Sequence, residues 1–165
     1  MKYFKLAFLF GALVALSWSA GAGLENALDI SASGAIAQRT RAQVSAENIA
    51  NMDTTKTSDG LPYRRKVVML RPAENFSRSG NARRQVLNGV AVSYVGAEPQ
   101  AEKKFQRVYK PGHPDADENG FVLYPNINIT EELVQLSEIS AAFENNVVVF
   151  NNTKAMMQAS LELAQ

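Results

Sequence analysis

The chain has no cysteine and a single histidine, His113, and these near-absences exclude much of the chemistry that small proteins perform. Without cysteine there are no disulfides, no thiolate metal sites and no cysteine nucleophile. Catalytic triads and structural zinc sites need a histidine held by partners, or several histidines and cysteines that converge. We therefore expect no enzyme activity, no cofactor, no metal and no small-molecule substrate.

Length and composition predict a folded protein with one core. The 165 residues are 46% hydrophobic and 20% charged, which is typical of a globular chain rather than a disordered one. The net charge is only +1, but residues 64–110 carry eleven bases against three acids, and residues 128–165 carry five acids against one base. The two regions either attract each other between neighbouring subunits of an assembly or are simply two solvated surfaces.

The first residues are typical of a secretory signal peptide. Lys2 and Lys5 precede an apolar run over residues 6–18, and small residues at 20–22 fit a cleavage site after Ala22. Thirteen residues are too few to span a bilayer comfortably. The alternatives are an uncleaved interfacial anchor and a start codon assigned upstream of a true start near Leu24.

Hydrophobic spacing predicts a long helix at each end of the chain. Near the N-terminus, seven-residue spacing relates Leu28, Ala35, Ala42 and Ile49. Near the C-terminus, Asn128 is a suitable N-cap with Glu131 three residues later. The seam that follows consists of Leu133, Leu136, Phe143, Val147, Phe150, Met157 and Leu161.

Between the helices, short segments rich in branched and aromatic residues predict strands at residues 67–70, 90–95, 105–109 and 121–124. Residues 51–63 and 77–81 are predicted to be a loop and a turn. The fold class is therefore α+β, with terminal helices forming a coiled-coil-like hairpin and a small inserted β-domain. The expected segments are 1–22 (signal peptide), 23–52 (N-terminal helix), 53–127 (loop and β-domain) and 128–165 (C-terminal helix).

Each terminal helix has an apolar stripe that it cannot bury alone. A hairpin of the two would still be thin. Burial against neighbouring subunits, and hence a polymer or a partner-bound state, is the expected completion.

Two motifs resemble the axial proteins of the bacterial flagellum, the rod and hook family. The first helix ends in an N-x-A-N phrase made by Asn48, Ala50 and Asn51. A second phrase, more specific to the proximal-rod type, contains Tyr109, Pro111, Gly112, Pro114 and Gly120, followed by Pro125 and Asn126. The resemblance covers residues 24–165.

The resemblance implies a structural subunit of the hollow rod that crosses the periplasm and transmits torque. Its terminal helices would form the inner tube. The implied partners are copies of itself, other proximal and distal rod proteins and the adaptor that joins the rod to a membrane ring. Members of the family usually leave through the flagellar type III channel, so a general secretory signal would be a departure, and the export route stays open.

Other interpretations compete with this one. A secreted periplasmic helical binding module would keep the signal peptide, and a distal-rod or hook protein shares the helix motif. Residues 115–120 fit the first half of a calcium loop, but position twelve is Asn126 rather than glutamate, which favours a simple turn. No motif for reading nucleic acid accompanies the basic region.

Overall fold

A computed structural model describes the backbone of residues 2–79, 82–99 and 105–163, and the side chains of residues 23–73, 89–99 and 105–163. Along the chain, four strands lie between two long helices. In order, the elements are α1 (Lys2–Ala50), β1 (Lys66–Ser79), β2 (Ala82–Ala97), β3 (Gln106–Tyr109), β4 (Phe121–Tyr124) and α2 (Ile129–Glu162). The α+β class with terminal helices is therefore confirmed.

Helix α1 begins at Lys2, well before residue 23 where the sequence predicts its start, whereas the end of α1 and the start of α2 lie close to the predicted positions. Helix α1 ends at Ala50, where Asn51 donates its side-chain amide to the Glu47 carbonyl at 2.9 Å and so occupies one of the last free carbonyls. Helix α2 begins at Ile129, and the Asn128 side-chain oxygen accepts the Thr130 N–H at 3.0 Å. Asn128 is thus the N-cap that the sequence predicts.

The strands form two separate two-stranded sheets, β1 with β2 and β3 with β4. In the second sheet, antiparallel pairing places Val108 opposite Val122 and Tyr109 opposite Phe121. The predicted turn at residues 77–81 is wrong for residues 77–79, because β1 continues through Ser79. Residues 80 and 81 lie outside the described part of the chain.

The chain divides into two compact units, and their boundary cuts through both helices and both long strands. The first unit comprises Met1–Ala35, Pro72–Val90 and Glu144–Gln165, and the second comprises Ile36–Arg71 and Ala91–Phe143. The buried apolar side chains that the structure describes all belong to the second unit. Apart from prolines, they are Ala37, Val44, Tyr63, Val122 and Ile139.

In the first unit, close approach of elements depends on small residues. A Cβ on Gly34 of α1 would lie 2.9 Å from the Asn146 side-chain oxygen of α2. Gly89 of β2 lies against the same stretch of α1, where Ser33 accepts the Val90 N–H through its hydroxyl oxygen at 3.1 Å. Gly34, which weakens a helix on propensity alone, is therefore placed where a larger residue would collide.

For the predicted signal segment, the structure describes the backbone of residues 2–22 but not the side chains. The backbone of residues 2–22 belongs to α1, whereas the side chains, including that of Ala22 at the predicted cleavage site, lie outside the described residues. In the part of the chain that the structure describes, no helix combines the length and the hydropathy needed to cross a membrane.

Candidate functional site

A buried carboxylate lies at the centre of the second unit. Glu132, in the first turn of α2, is 1% exposed. The Nε and Nη2 atoms of Arg65 each lie 2.7 Å from its Oε1 atom. Ser45 of α1 donates its hydroxyl to the Oε2 atom at 2.6 Å. The guanidinium and the hydroxyl thus replace the hydration that the carboxylate loses on burial.

Asn48 extends this cluster to the backbone of β1. Its side-chain amide donates to the Lys66 carbonyl at 3.0 Å, and its oxygen accepts the Lys66 N–H at 2.9 Å. The side chain therefore pairs with a strand residue in both directions, as a neighbouring strand would. The Tyr63 hydroxyl donates to the same oxygen at 3.1 Å. We call Ser45, Asn48, Arg65 and Glu132 the polar network.

Tyr63 is the titratable group that this environment perturbs most clearly. Its side chain is buried, and burial, followed by the negative charges of Glu47 and Glu132, raises the pKa of Tyr63 to about 12. Both causes disfavour the phenolate. Tyr63 is therefore held as a neutral hydrogen-bond donor, which is the form that Asn48 requires.

Local position does not reveal the role of Glu132. A carboxylate in the first turn of a helix ordinarily favours the helix dipole. That description fits Glu131, which is exposed and accepts a hydrogen bond from Asn128 at 3.3 Å, but Glu132 points inward. Arg65 lies 67 residues away along the chain, so no local pattern could reveal the pair.

The N-x-A-N phrase now has a structural explanation. Asn48 is 1% exposed and binds β1, and Asn51 caps the end of α1. Ala50 between them is exposed. Each asparagine thus forms a hydrogen bond that a side chain without a terminal amide would lack.

The second phrase forms the β3–β4 hairpin and its loop. Asp117 accepts the N–H groups of Asn119 at 2.9 Å and of Phe121 at 2.8 Å. Gly120 has φ +77°, a value that favours glycine. The Phe121 N–H bond, with Arg107 as a further contributor, holds the pKa of Asp117 below its usual range.

The possible cation ligands in this loop are occupied by protein donors. Asp115 accepts the Thr55 hydroxyl at 2.7 Å and lies 3.9 Å from the Lys56 ammonium. Asp117 is held by the backbone and by Arg107 at 2.8 Å. Among the described residues, no cluster of side chains is suited to hold a metal ion. The arrangement is that of a turn.

The remaining motif residues lie in and around this hairpin. Tyr109 is 63% exposed and meets Phe121 edge to face, with ring centroids 5.3 Å apart. A Cβ on Gly120 would lie 3.0 Å from Pro111. Asn126 accepts the Gln106 side-chain amide at 2.7 Å. Pro125 is buried, and Gly112 and Pro114 are exposed.

The predicted seam of α2 lies beside its buried face. The positions that the structure buries on α2 are Glu132, Ile139 and Thr153. Four members of the seam keep at least a third of their surface exposed: Leu133 (52%), Phe143 (38%), Val147 (36%) and Leu161 (62%). Leu136, Phe150 and Met157 are half-buried.

Helix α1 repeats this arrangement with smaller side chains. Its seam residues are half-buried, whereas Ser31, Ala37, Val44, Ser45 and Asn48 are buried. The half-buried seam consists of Leu28, Ala35, Ala42 and Ile49. Helix α1 therefore has two neighbouring stripes, one buried within the chain and one half-buried. Sequence periodicity does not say which is which.

Two comparisons with known families match opposite ends of the chain. A family described as "Flagella basal body rod protein" matches residues 28–56. A second, described as "Flagellar basal body rod FlgEFG protein C-terminal", matches residues 118–163. These matches cover the end of α1 with the following loop, and β4 with α2. The fold and the two motifs together define a structural protein of the flagellar rod class.

Whole-length relatives identify the type of rod protein. The flagellar basal-body rod protein FlgC of Bacillus subtilis strain 168 is 38% identical over 153 residues, covering 85% of this chain and 97% of that protein. The FlgC protein of Salmonella typhimurium LT2 is 39% identical over 142 residues, covering 86% and 98%. That of Borreliella burgdorferi is 33% identical over 150 residues, covering 87% and 99%. The chain belongs to the FlgC family, and it is a structural subunit of the proximal rod of the flagellar basal body.

Proposed function

We propose that this subunit polymerises through the seams of α1 and α2 defined above, which we call the outer stripes of the two helices, and so forms part of the drive shaft that crosses the periplasm. The observation that carries the proposal is the exposure of seam residues on α2 that a monomeric protein would bury. Leu133 and Leu161 are more than half exposed, and Phe143 is 38% exposed. Full burial of such a side chain stabilises by about 1.5–3 kcal/mol.

The role proposed is mechanical, without catalysis. The carboxylates that are buried or clustered already have partners within the chain, as Glu132 does with Arg65 and Asp115 with Thr55. They are therefore engaged in holding elements together. Transmission of torque requires such fixed connections.

The proposed partners are other copies of the chain, other proximal-rod and distal-rod proteins, and the adaptor to the membrane ring. The basic middle and acidic end of the sequence support contacts between subunits, since opposite charges favour association. We also propose delivery to the periplasm with cleavage after Ala22, which the order of charged, apolar and small residues supports.

A charge placed on the outer stripe tests the polymerisation surface. Phe143→Asp is compared with Ser137→Asp, which adds the same charge at an exposed position of α2 off the seam. We expect Phe143→Asp to abolish swimming and to remove the subunit from isolated basal bodies, and Ser137→Asp to leave both intact. Circular dichroism of the purified variants checks that both remain folded. Normal swimming with Phe143→Asp would contradict the proposed surface.

N-terminal sequencing of the subunit recovered from basal bodies tests the delivery route. A start at Gly23 supports cleavage after Ala22. A start at Met1 would refute cleavage. Recovery of the chain free in the periplasm and absent from basal bodies would favour a binding module.

A further inference from the structure

The polar network occupies the place where three parts of the chain meet. Ser45 and Asn48 belong to the last turns of α1, Arg65 directly precedes β1, and Glu132 is in the first turn of α2. Ala37, Val44 and Ile139 of the apolar core belong to the same two helices. The charged pair thus lies next to an apolar core, at positions where apolar side chains could extend that core.

Stability alone explains this choice poorly. Removing a carboxylate and a guanidinium from water is costly, and apolar pairs of similar volume are often as stable or more stable. Glu132 and Arg65 are 2% and 24% exposed in their side chains. The pair therefore carries most of the desolvation cost and offers little net gain over an apolar substitute.

The polar network has a clearer effect on the register, that is, the alignment of α1 along α2. The buried stripe of α1 presents Ala37 and Val44 seven residues, or two turns, apart, so a displaced alignment of the helices would still bury an apolar side chain. A displaced alignment would, however, separate Glu132 from Ser45 and leave a buried carboxylate short of donors. That penalty is large, because a buried charge without its partners cannot recover its hydration.

We propose that the polar network is a register lock, which fixes the last turns of α1 against the first turn of α2 and fixes the starting point of β1 on both. Glu132 sets the alignment of the two helices through Ser45. Asn48 sets the start of the strand, because it binds both backbone groups of Lys66. Arg65 connects the two by holding the carboxylate from the strand side.

The lock bears on assembly, and that consequence rests on the proposed function. The outer stripes of α1 and α2 are complementary to neighbouring subunits only if the two helices keep one alignment. A chain that samples several alignments would present several different surfaces. The network thus selects one of them before any neighbour is bound.

Distance measurements on the purified full chain test the lock directly. The chain has no cysteine, so nitroxide labels attach only at introduced positions. Gln43→Cys on α1 and Ser137→Cys on α2 replace exposed residues that lie in the same unit. Pulsed electron resonance then gives the distribution of distances between the two helices.

The apolar double variant Arg65→Met/Glu132→Leu removes the charges and keeps the volume. We expect one narrow distance peak in the parent and a broadened or divided distribution in the double variant, with little change in the urea midpoint. Glu132→Leu alone removes the carboxylate 2.7 Å from Arg65 and leaves the guanidinium with the Glu98 carboxylate at 3.9 Å, and we expect its midpoint to fall by about 1 M. The matched control is Arg64→Met/Asp59→Leu, which removes a more exposed ion pair, with side chains 34% and 62% exposed, and should leave the distribution narrow.

A narrow, unchanged distribution in Arg65→Met/Glu132→Leu would overturn the lock. Failure of that double variant to fold would overturn it as well, because the pair would then be needed for stability. Glu132→Gln, which keeps the shape and removes the charge, is measured beside it and should also broaden the distribution. A parent whose distribution is already broad would contradict the proposal. Because the measurement uses the purified chain, its outcome is independent of entry into the rod.

Discussion

Substitution of Gly89 by alanine should be among the most destabilising single-methyl changes in this protein. Gly89 has φ +107°, and a Cβ built there would lie 2.0 Å from the Ser33 hydroxyl oxygen and 3.2 Å from the Ile30 Cα. The hydroxyl of Ser33 cannot withdraw freely, because it accepts the Val90 N–H. An alanine therefore meets both a disfavoured backbone conformation and a backbone atom of α1.

The two costs can be separated with two other glycines. Gly60 has φ +76° but no atom within 4 Å of its Cβ position, and Gly112 has neither a positive φ nor a neighbour. A left-handed backbone conformation alone costs a non-glycine residue about 1–2 kcal/mol. Overpacking adds typically about 1–3 kcal/mol. We therefore expect a loss near zero for Gly112→Ala, about 1–2 kcal/mol for Gly60→Ala, and about 2–5 kcal/mol for Gly89→Ala.

Urea unfolding followed by circular dichroism measures the three variants on one scale. With m between about 1 and 3 kcal/mol/M, a loss of 2–5 kcal/mol moves the midpoint by about 1 M or more. A Gly89→Ala midpoint equal to that of Gly60→Ala would refute the steric part of the reasoning. Gly89→Ala with parental stability would show that β2 does not lie against α1 near Ser33.

Three further predictions concern single side chains. Because the folded pKa of Tyr63 is raised from 10.0 to about 12, its contribution to stability is complete below pH 10 and lost as pH rises toward 12. Each pKa unit corresponds to about 1.4 kcal/mol, so the free energy of unfolding, measured with urea at a series of pH values, should fall by up to about 2–3 kcal/mol across this window. The fall should be absent in Tyr63→Phe. Asn128→Ala should cost about 1 kcal/mol through the lost cap, read from the urea midpoint, whereas no change would show that the cap is dispensable. Asp117 has a lowered pKa, so the β3–β4 turn should keep its amide protection above the ordinary carboxyl pKa and lose it as the pH falls through the lowered pKa of Asp117. Amide hydrogen exchange that is the same in Asp117→Ala as in the parent would contradict this.

Local signals identified most of the secondary structure. Asn128 and Glu131 predicted the start of α2, and branched residues predicted β4 at the residues it occupies, Phe121–Tyr124. These features depend on side chains within a few residues of one another. The continuation of β1 through Ser79 was missed. Serine, glycine and asparagine are typical turn residues, so the sequence predicted a turn that began at residue 77.

Contacts between residues far apart in the sequence could not be predicted from such local signals. Glu132 in a first helical turn has the same local sequence whether it faces water or Arg65. The difference is decided by which side of α2 meets α1, and two neighbouring stripes compete for that place. One weak signal existed: Ser45 and Asn48 are polar, three residues apart, and follow Val44 within four residues on the side of α1 that is buried.

The distribution of polar and apolar side chains on α2 differs from that expected of a helix in a monomer. Its buried positions include Glu132 and Thr153, whereas Leu133 and Leu161 are more than half exposed. A lone chain would gain stability by exchanging the two sets, since apolar burial stabilises and burial of a charge is costly. The proposed polymerisation surface accounts for this arrangement, because neighbouring subunits would then cover the apolar stripe. On this account, the polar network fixes the alignment within a subunit, and the apolar stripe supplies the energy of joining subunits together.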